Sequence, residues 1–365
     1  MAVTTPGLEI EQLLTDNTQL IGGEWVPAAS GMTLDVINPA TTEVLLRVPR
    51  GDANDIDAAA QAAQAAFPAW RDLNPSQRGE VLYRWGQLCR EHAAQISTLE
   101  SMEVGHPYWG PSPVGDFLIY TAGMADKVRG ETLPTKWPSL HAMTWREPYG
   151  VVGVIIPWNG PAPVMTFDVA PALAAGNTVV VKPAEDAPLA CLYVAKLGLQ
   201  AGLPPGVLNL VTGYGPEAGA PLAGHPLVRR MSFTGSPETG SKIMEQCARH
   251  LIPLHVESGG KSPQIVFRDA DLDKAIPGIV RMITLNTGQV CAAGSRLLVD
   301  PTIRKDVVGA IKDAFGKVRV GPWHDEVDMG PLINAKQEKR VLSYMDIGRE
   351  EGAEVIAGGA KLTGE

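Results

Sequence analysis

The chain has 365 residues, 45% of them hydrophobic and 19% charged, with a net charge of −9 at pH 7 and a pI near 5.4. That length can bury a sizeable core in about two or three domains, and the acidic balance argues against a nucleic-acid or anionic-membrane partner. The most apolar stretches, VVGVIIPW and VAPALAAGNTVVV, are too short or too broken by Pro and Gly to span a bilayer, and the opening MAVTTPGLEIEQLL lacks the basic start and apolar run of a secretory signal.

The first elements are hairpin-like, LIGGEWVPA and TLDVINPATTEVLLRVP. An Ala-rich helix follows over DANDIDAAAQAAQAAF, with Asp52 and Asp55 at its start, where acids suit the helix dipole. One further helix is predicted over PSQRGEVLYRWGQLCREHAAQISTLESME. LPTKWPSLHAMTW, ahead of REPYGVV, predicts an extended arm. Short β-branched runs (VVGVII, NTVVVK, GVLNLV, VRRMSF, LIPLHVE) then alternate with helical stretches that often stop at Gly, which predicts a doubly wound parallel sheet. Beyond it, LDKAIPGIVRMITLNTG reads as a helix and SRLLVD as a strand. TIRKDVVGAIKDAFGKV and NAKQEKRVLSYMDIGREEG read as helices, and the closing AEVIAGGAKLTGE as a strand and turn.

The four cysteines, Cys89, Cys191, Cys247 and Cys291, show no paired spacing, so free thiols of a reducing, cytoplasmic compartment are expected. Cys89 shares an apolar stripe with Leu82, Trp85 and Leu88, and Cys191 and Cys247 also fall on apolar helix faces, which assigns all three to packing. The seven histidines form no HExxH or similar set, and no metal site is expected.

Ligands of open α/β sheets bind outside the carboxyl ends of the strands. Trp158 and Asn159 follow the first of these strands, Lys182 and then Glu185 the second, Gly235 and Ser236 the fourth, and Glu257 the fifth. In FTGSPETG, Ser236 suits an N-cap and Pro237 a first helical position, while Gly235 would also let a phosphate approach the helix start. Its GxxxxG spacing is neither a GxGxxG nor a P-loop, and GYGPEAG is one residue too long for the dinucleotide fingerprint. Glu257, ending a strand read as buried, is a candidate base or else an exposed turn carboxylate. Asn159 is a turn residue or an oxyanion donor, and Cys291 in NTGQVCAAGSR is a small core residue or a nucleophile.

IIPWNGP, VVVKPAEDAPL, LPPGVLNLVTGYGPEAG, SFTGSPETG, HVESGGKSPQIVF and NTGQVCAAGSR, in this order, resemble the aldehyde dehydrogenase superfamily. LIGGEWVPA and VINPATTEVL extend the likeness back to about Leu20. The resemblance implies a Rossmann-like doubly wound parallel sheet plus a second, incomplete α/β catalytic domain. It divides the chain into an NAD-binding domain over 1–130 and 148–257, an arm over 131–147 that is an oligomerisation element, and a catalytic domain from 258 to 365. It makes Cys291 the nucleophile, Asn159 and the Cys291 N–H the oxyanion donors, and Glu257 the base that activates water against a thioester. A free thiol of pKa about 8.5 is only about 3% thiolate at pH 7, so such a cysteine needs a base or a local field. Trp158, Lys182, Glu185, Gly215, Gly235, Ser236 and Gly240 match the family's cofactor contacts. A carboxylate at Glu185 favours NAD over NADP, which Lys182 partly offsets. The partners so implied are a small-molecule aldehyde and further copies of the chain.

Several positions depart from the family's pattern. Ser258 stands where many members have Leu, and Asp168 where some carry a Lys. Gly160 and Ala162 replace bulkier residues, which predicts a wide apolar tunnel for a medium or bulky uncharged aldehyde. Members continue well beyond Glu365, which predicts a fragment or a truncated product. The alternatives to an NAD-dependent aldehyde dehydrogenase are a non-catalytic remnant that binds nucleotide and a chain with thiol esterase activity only.

Overall fold

The structure is a computed structural model that describes residues 10–362. Gly22 and Gly23, at φ 63° and 90°, make a two-residue turn that few other residues adopt. It joins β1 (Gln19–Ile21) to β2 (Glu24–Val26), and β3 (Thr33–Ile37) pairs with β4 (Val44–Pro49) in a second hairpin. The helix Ala53–Asp72 opens with a capping box, in which Asn54 N donates to Asp52 Oδ1 at 2.8 Å and Asp52 N to Asp55 Oδ2 at 3.0 Å. Its buried face is Ile56, Ala59, Ala60 and Ala63, small enough for the helix to lie close on the sheet.

The single helix expected over 75–103 is two, Pro75–Glu91 and Ala93–Val104, which break at His92. The first is amphipathic, whereas the second is buried nearly all round, Glu100 and Glu103 included. A change of axis is needed to drive the second into the core. The arm over 131–147 is an exposed two-stranded ribbon, β5 (Thr132–Leu133) with β6 (Ala142–Met143).

The five alternating strands are β7 (Val151–Ile155), β8 (Thr178–Lys182), β9 (Leu208–Leu210), β10 (Val228–Gly235) and β11 (Leu254–Ser258). They run parallel in the order β11-β10-β7-β8-β9, and β1 and β2 extend the sheet antiparallel beyond β9. The doubly wound reading is thus correct. Every residue of β7 and β8 is buried, as strands covered on both faces require. The chain winds outward from β7 to β9 and then crosses to β10 on the other side of β7, so the strand order reverses at β7. At such a reversal a crevice opens beyond the carboxyl ends of the strands.

Past the sheet, β12 (Pro263–Val266) and β13 (Arg296–Val299) form a parallel pair. The helices Leu272–Thr284 and Arg304–Phe315 pack on it through Ile276, Ile279 and Val307 around Val266. The strand expected in 353–365 is absent from its described residues, 353–362, where Val355 and Ile356 are exposed with no neighbouring strand to pair with.

Candidate active site

The reversal brings the ends of β7, β8 and β10 to one rim. Beyond β7, Trp158 and Asn159 are half-buried. At the end of β8, Lys182 is only 3% exposed, and its Nζ lies 3.0 Å from Glu185 Oε2. Burial lowers the Lys182 pKa, opposed by the charges of Glu185 and Asp186. Beyond β10, Ser236 caps the helix Pro237–Ala248, its Oγ accepting from Thr239 N at 3.2 Å. The two glycines here have a packing reason of their own. A Cβ on Gly235 would lie 2.6 Å from the buried Phe233 ring, and one on Gly240 3.4 Å from both Phe233 and Val256. Gly215 borders open space, whereas Gly213, at φ 145°, has the carbonyl oxygen of Gly51 2.4 Å from where a Cβ would be.

The residues preceding Cys291 are bent by a rare backbone. Asn286, Thr287 and Gly288 are left-handed in succession, at φ 48°, 58° and 73°. For the β-branched Thr287 this costs on the order of 1–3 kcal/mol, so surrounding contacts must hold it. They do. Asn286 Nδ2 donates to Asn159 O at 2.7 Å, and Asn159 Nδ2 donates to Gln289 O at 2.8 Å. Ile333 N donates to Gln289 Oε1 at 3.0 Å and Thr287 Oγ1 to Gly330 O at 3.0 Å. Gly294 lies against Gln264, whose Nε2 donates to Gly294 O at 2.7 Å.

The result presents Cys291 to solvent while Cys89, Cys191 and Cys247 are buried. Burial raises the pKa of each of those three thiols and so disfavours the thiolate there. Gly260 N donates to Cys291 O at 3.2 Å, which ties the loop after Glu257 to the cysteine. The three separate segments that carry Cys291, Asn159 and Glu257 are therefore linked through backbone and amide bonds.

Two expectations change. β11 is an edge strand, and the Glu257 side chain is 63% exposed, with His255 Nε2 3.1 Å from its Oε1, so it does not end a buried strand. Ala162 is fully buried in the core as the second residue of the helix Pro161–Ala174 and does not widen a tunnel, whereas a Cβ on Gly160 would meet nothing within 4 Å.

Four further residues shape the site without having been singled out. Asn286 and Gln289 brace the cysteine turn, and the Asn286-Thr287-Gly288 run was a legible left-handed signal. Glu100 and Glu103 carried no such signal. Glu100 Oε1 accepts from Ala162 N at 3.1 Å, and Glu103 accepts from Leu189 N and Ala190 N at 2.6 and 2.9 Å. They cap, from outside, the helices Pro161–Ala174 and Leu189–Gln200, which lack side-chain caps of their own. Burial pushes their carboxyls up to about 7 and about 8, the bound amides opposing it. A cavity of about 840 Å³ between Leu272–Thr284 and Arg304–Phe315 is lined by none of the predicted site residues.

Comparison with known proteins bears on this arrangement. Residues 25–365 match the family described as the aldehyde dehydrogenase family. The phenylacetaldehyde dehydrogenase of Pseudomonas fluorescens is 42% identical over 365 residues, a match that covers 96% of this chain and 73% of that protein. An NAD+ complex of an aldehyde dehydrogenase from Bacillus cereus superposes with a TM-score of 0.94 at 40% identity, covering 98% of this chain and 74% of the other. An NADP-dependent enzyme of E. coli does so with a TM-score of 0.92 at 38% identity, covering 96% and 73%.

Proposed function

The chain belongs to the aldehyde dehydrogenase family, and from that premise we propose that it oxidises an aldehyde to a carboxylic acid with NAD, through a thioester on Cys291. The observation that carries the reading is the exposed Cys291 at the head of a strained turn braced by Asn159. The thiolate adds to the aldehyde carbon to give a thiohemiacetal. Asn159 Nδ2 spends one N–H on Gln289 O and keeps the other for the oxyanion, beside the Cys291 N–H. Such a donor is worth about 3–4 kcal/mol to the transition state.

The rim at β7, β8 and β10 fits a dinucleotide. It offers a half-buried Glu185 carboxylate for ribose hydroxyls and the capped start of Pro237–Ala248, with Gly235, Ser236 and Gly240, for the pyrophosphate. Open backbone at Gly215 suits the adenine side, and Trp158 the nicotinamide half. NAD held by these residues would supply the hydride acceptor for oxidation of the thiohemiacetal to the thioester. Glu257 then activates the water that hydrolyses it. Lys182 is already matched by Glu185, so little positive charge remains for a 2′-phosphate, which supports NAD over NADP.

The same reading gives residues 1–130 and 148–257 to cofactor binding, 258–365 to catalysis, and 131–147 to contact between copies of the chain in the cytoplasm. Leu133, Trp137, Leu140, Met143 and Trp145 on that arm are exposed, an apolar surface suited to an identical partner. Among the described residues no helix is long and apolar enough to cross a membrane. The open side at Gly160 favours bulky uncharged aldehydes. The test is NADH formation from phenylacetaldehyde, with iodoacetamide labelling read by mass spectrometry. Cys291 should label ahead of the three buried thiols, and Cys291→Ser should form no NADH. Equal labelling of all four, or an active C291S, sinks the reading.

A further inference from the structure

A cluster of polar side chains lies on one face at the open edge of the main sheet. β11 is the terminal strand, and β10 beside it sets the register Ser232↔His255 and Thr234↔Glu257. Residues two apart on a strand project to one face, so His255 and Glu257 stand side by side, next to Arg230 and Ser232. Leu254 and Val256 point the other way, into the apolar cluster that holds Ile243 and Cys247. From the helix Pro161–Ala174 over the polar face comes Asp168, whose Oδ1 accepts from Ser232 Oγ at 2.7 Å. Among the described residues, His255 at 3.1 Å is the one ion-pairing partner of Glu257. Their side chains are 49% and 63% exposed, so the pair is held by its own contact rather than by packing.

We propose that His255 positions Glu257 and accepts its proton during thioester hydrolysis. The inference rests on the reading of Glu257 as the hydrolytic base. As the water oxygen bonds to the acyl carbon, its proton moves to the Glu257 carboxylate. The C–S bond breaks, and the thiolate leaves on Cys291. The proton then passes from Glu257 to the Nε2 lone pair of the Nδ1–H tautomer of His255, the Nδ1 proton leaves to solvent, and the resulting Nε2–H donates to the carboxylate, which returns ionised with nothing oxidised or reduced. An imidazolium has no such lone pair. It holds Glu257 as an ion pair instead, and hydrolysis closes while His255 is protonated. The charged groups facing His255 are Glu257 on its own strand, Arg230 on β10 and Asp168 from the covering helix. Burial raises the Asp168 pKa, while the Ser232 bond and the His255 and Arg230 charges oppose that and Glu257 adds to it.

The test is rapid mixing of the protein with NAD and phenylacetaldehyde over a series of pH values. His255→Ala should keep the first-turnover burst of NADH within about twofold while its steady-state rate falls five- to tenfold at high pH, and it should lose the rise with pH that wild type shows. His255→Gln, which can still donate to Glu257 but cannot take a proton, should regain part of the rate without the rise. A wild type that turns over beside an unchanged H255A overturns the proposal alone. Absence of any NADH from wild type overturns the reading of the site, and the proposal with it.

Discussion

Glu103 makes the start of the helix Leu189–Gln200 sensitive to pH in a direction opposite to that of most surface carboxylates. It is fully buried, its two oxygens accept from the first two amides of the helix Leu189–Gln200, and its carboxyl is pushed up to about 8 from 4.5. Because its folded pKa is raised, the folded state keeps a proton that the unfolded chain has lost between those values. Stability therefore falls as pH rises from about 4.5 towards about 8 and levels off above. At about 1.4 kcal/mol per pH unit, the full interval is worth roughly 5 kcal/mol as an upper bound. Glu100, raised to about 7, adds roughly 3 kcal/mol by the same reckoning, although part of the Glu103 shift is repulsion from Glu100, and the two do not simply add.

Glu103→Gln removes the charge but turns an amide N–H toward one of the two helix amides. At low pH this should cost about 1–3 kcal/mol for the pairing lost. At high pH the absent carboxylate more than offsets that cost. Thermal unfolding followed by circular dichroism from pH 5.5 to 9 should give curves that cross, with the wild-type Tm declining steeply and the variant's declining less, through Glu100 alone. With about 2.1 cal/mol/K of unfolding entropy per residue, a chain this long moves about 1.3 °C per kcal/mol, so the slopes should differ by on the order of 5 °C across the range. Parallel curves would refute the assignment of the buried charge to Glu103.

Three further outcomes follow from the geometry. Asn159→Ala should lower kcat by about 10²–10³-fold through the lost oxyanion donor, with the affinity for NAD measured by fluorescence titration unchanged; a kcat within fivefold of wild type counts against it. Gly330→Ala should destabilise by about 1–3 kcal/mol or more in urea titration and lower kcat as well. Its Cβ would lie 1.8 Å from Gly105 O, and Gly330 O holds Thr287 of the cysteine turn. Trp145→Glu in the exposed arm should shift the protein to smaller assemblies by mass photometry without changing its unfolding curve, and an unshifted mass distribution removes the arm from the interface.

What could be read in the sequence was whatever its cause kept local. The five parallel strands were legible because burial on both faces imposes continuous β-branched runs, and the helix after Ser236 because an N-cap and a Pro sit within two residues. The exposure of Glu257 was not legible, since it depends on β11 standing last in the sheet, and sheet order is set by crossovers rather than by the strand's own residues. The break at His92 carries neither Pro nor Gly; tertiary burial of Ala93–Val104 decides it. Glu100 and Glu103 carry no local signal of their role because their partners, Ala162 and Leu189, lie 62 and 86 residues downstream. Ala162 misled for the same reason, since which side of a helix start faces the core is fixed by what caps it. The residues of the proposed cofactor rim were therefore visible as residue types at strand ends. The supports that fix the surrounding geometry, Gln289 beside Cys291 and two buried glutamates under the helix starts, become visible only once distant amides are brought within hydrogen-bonding distance.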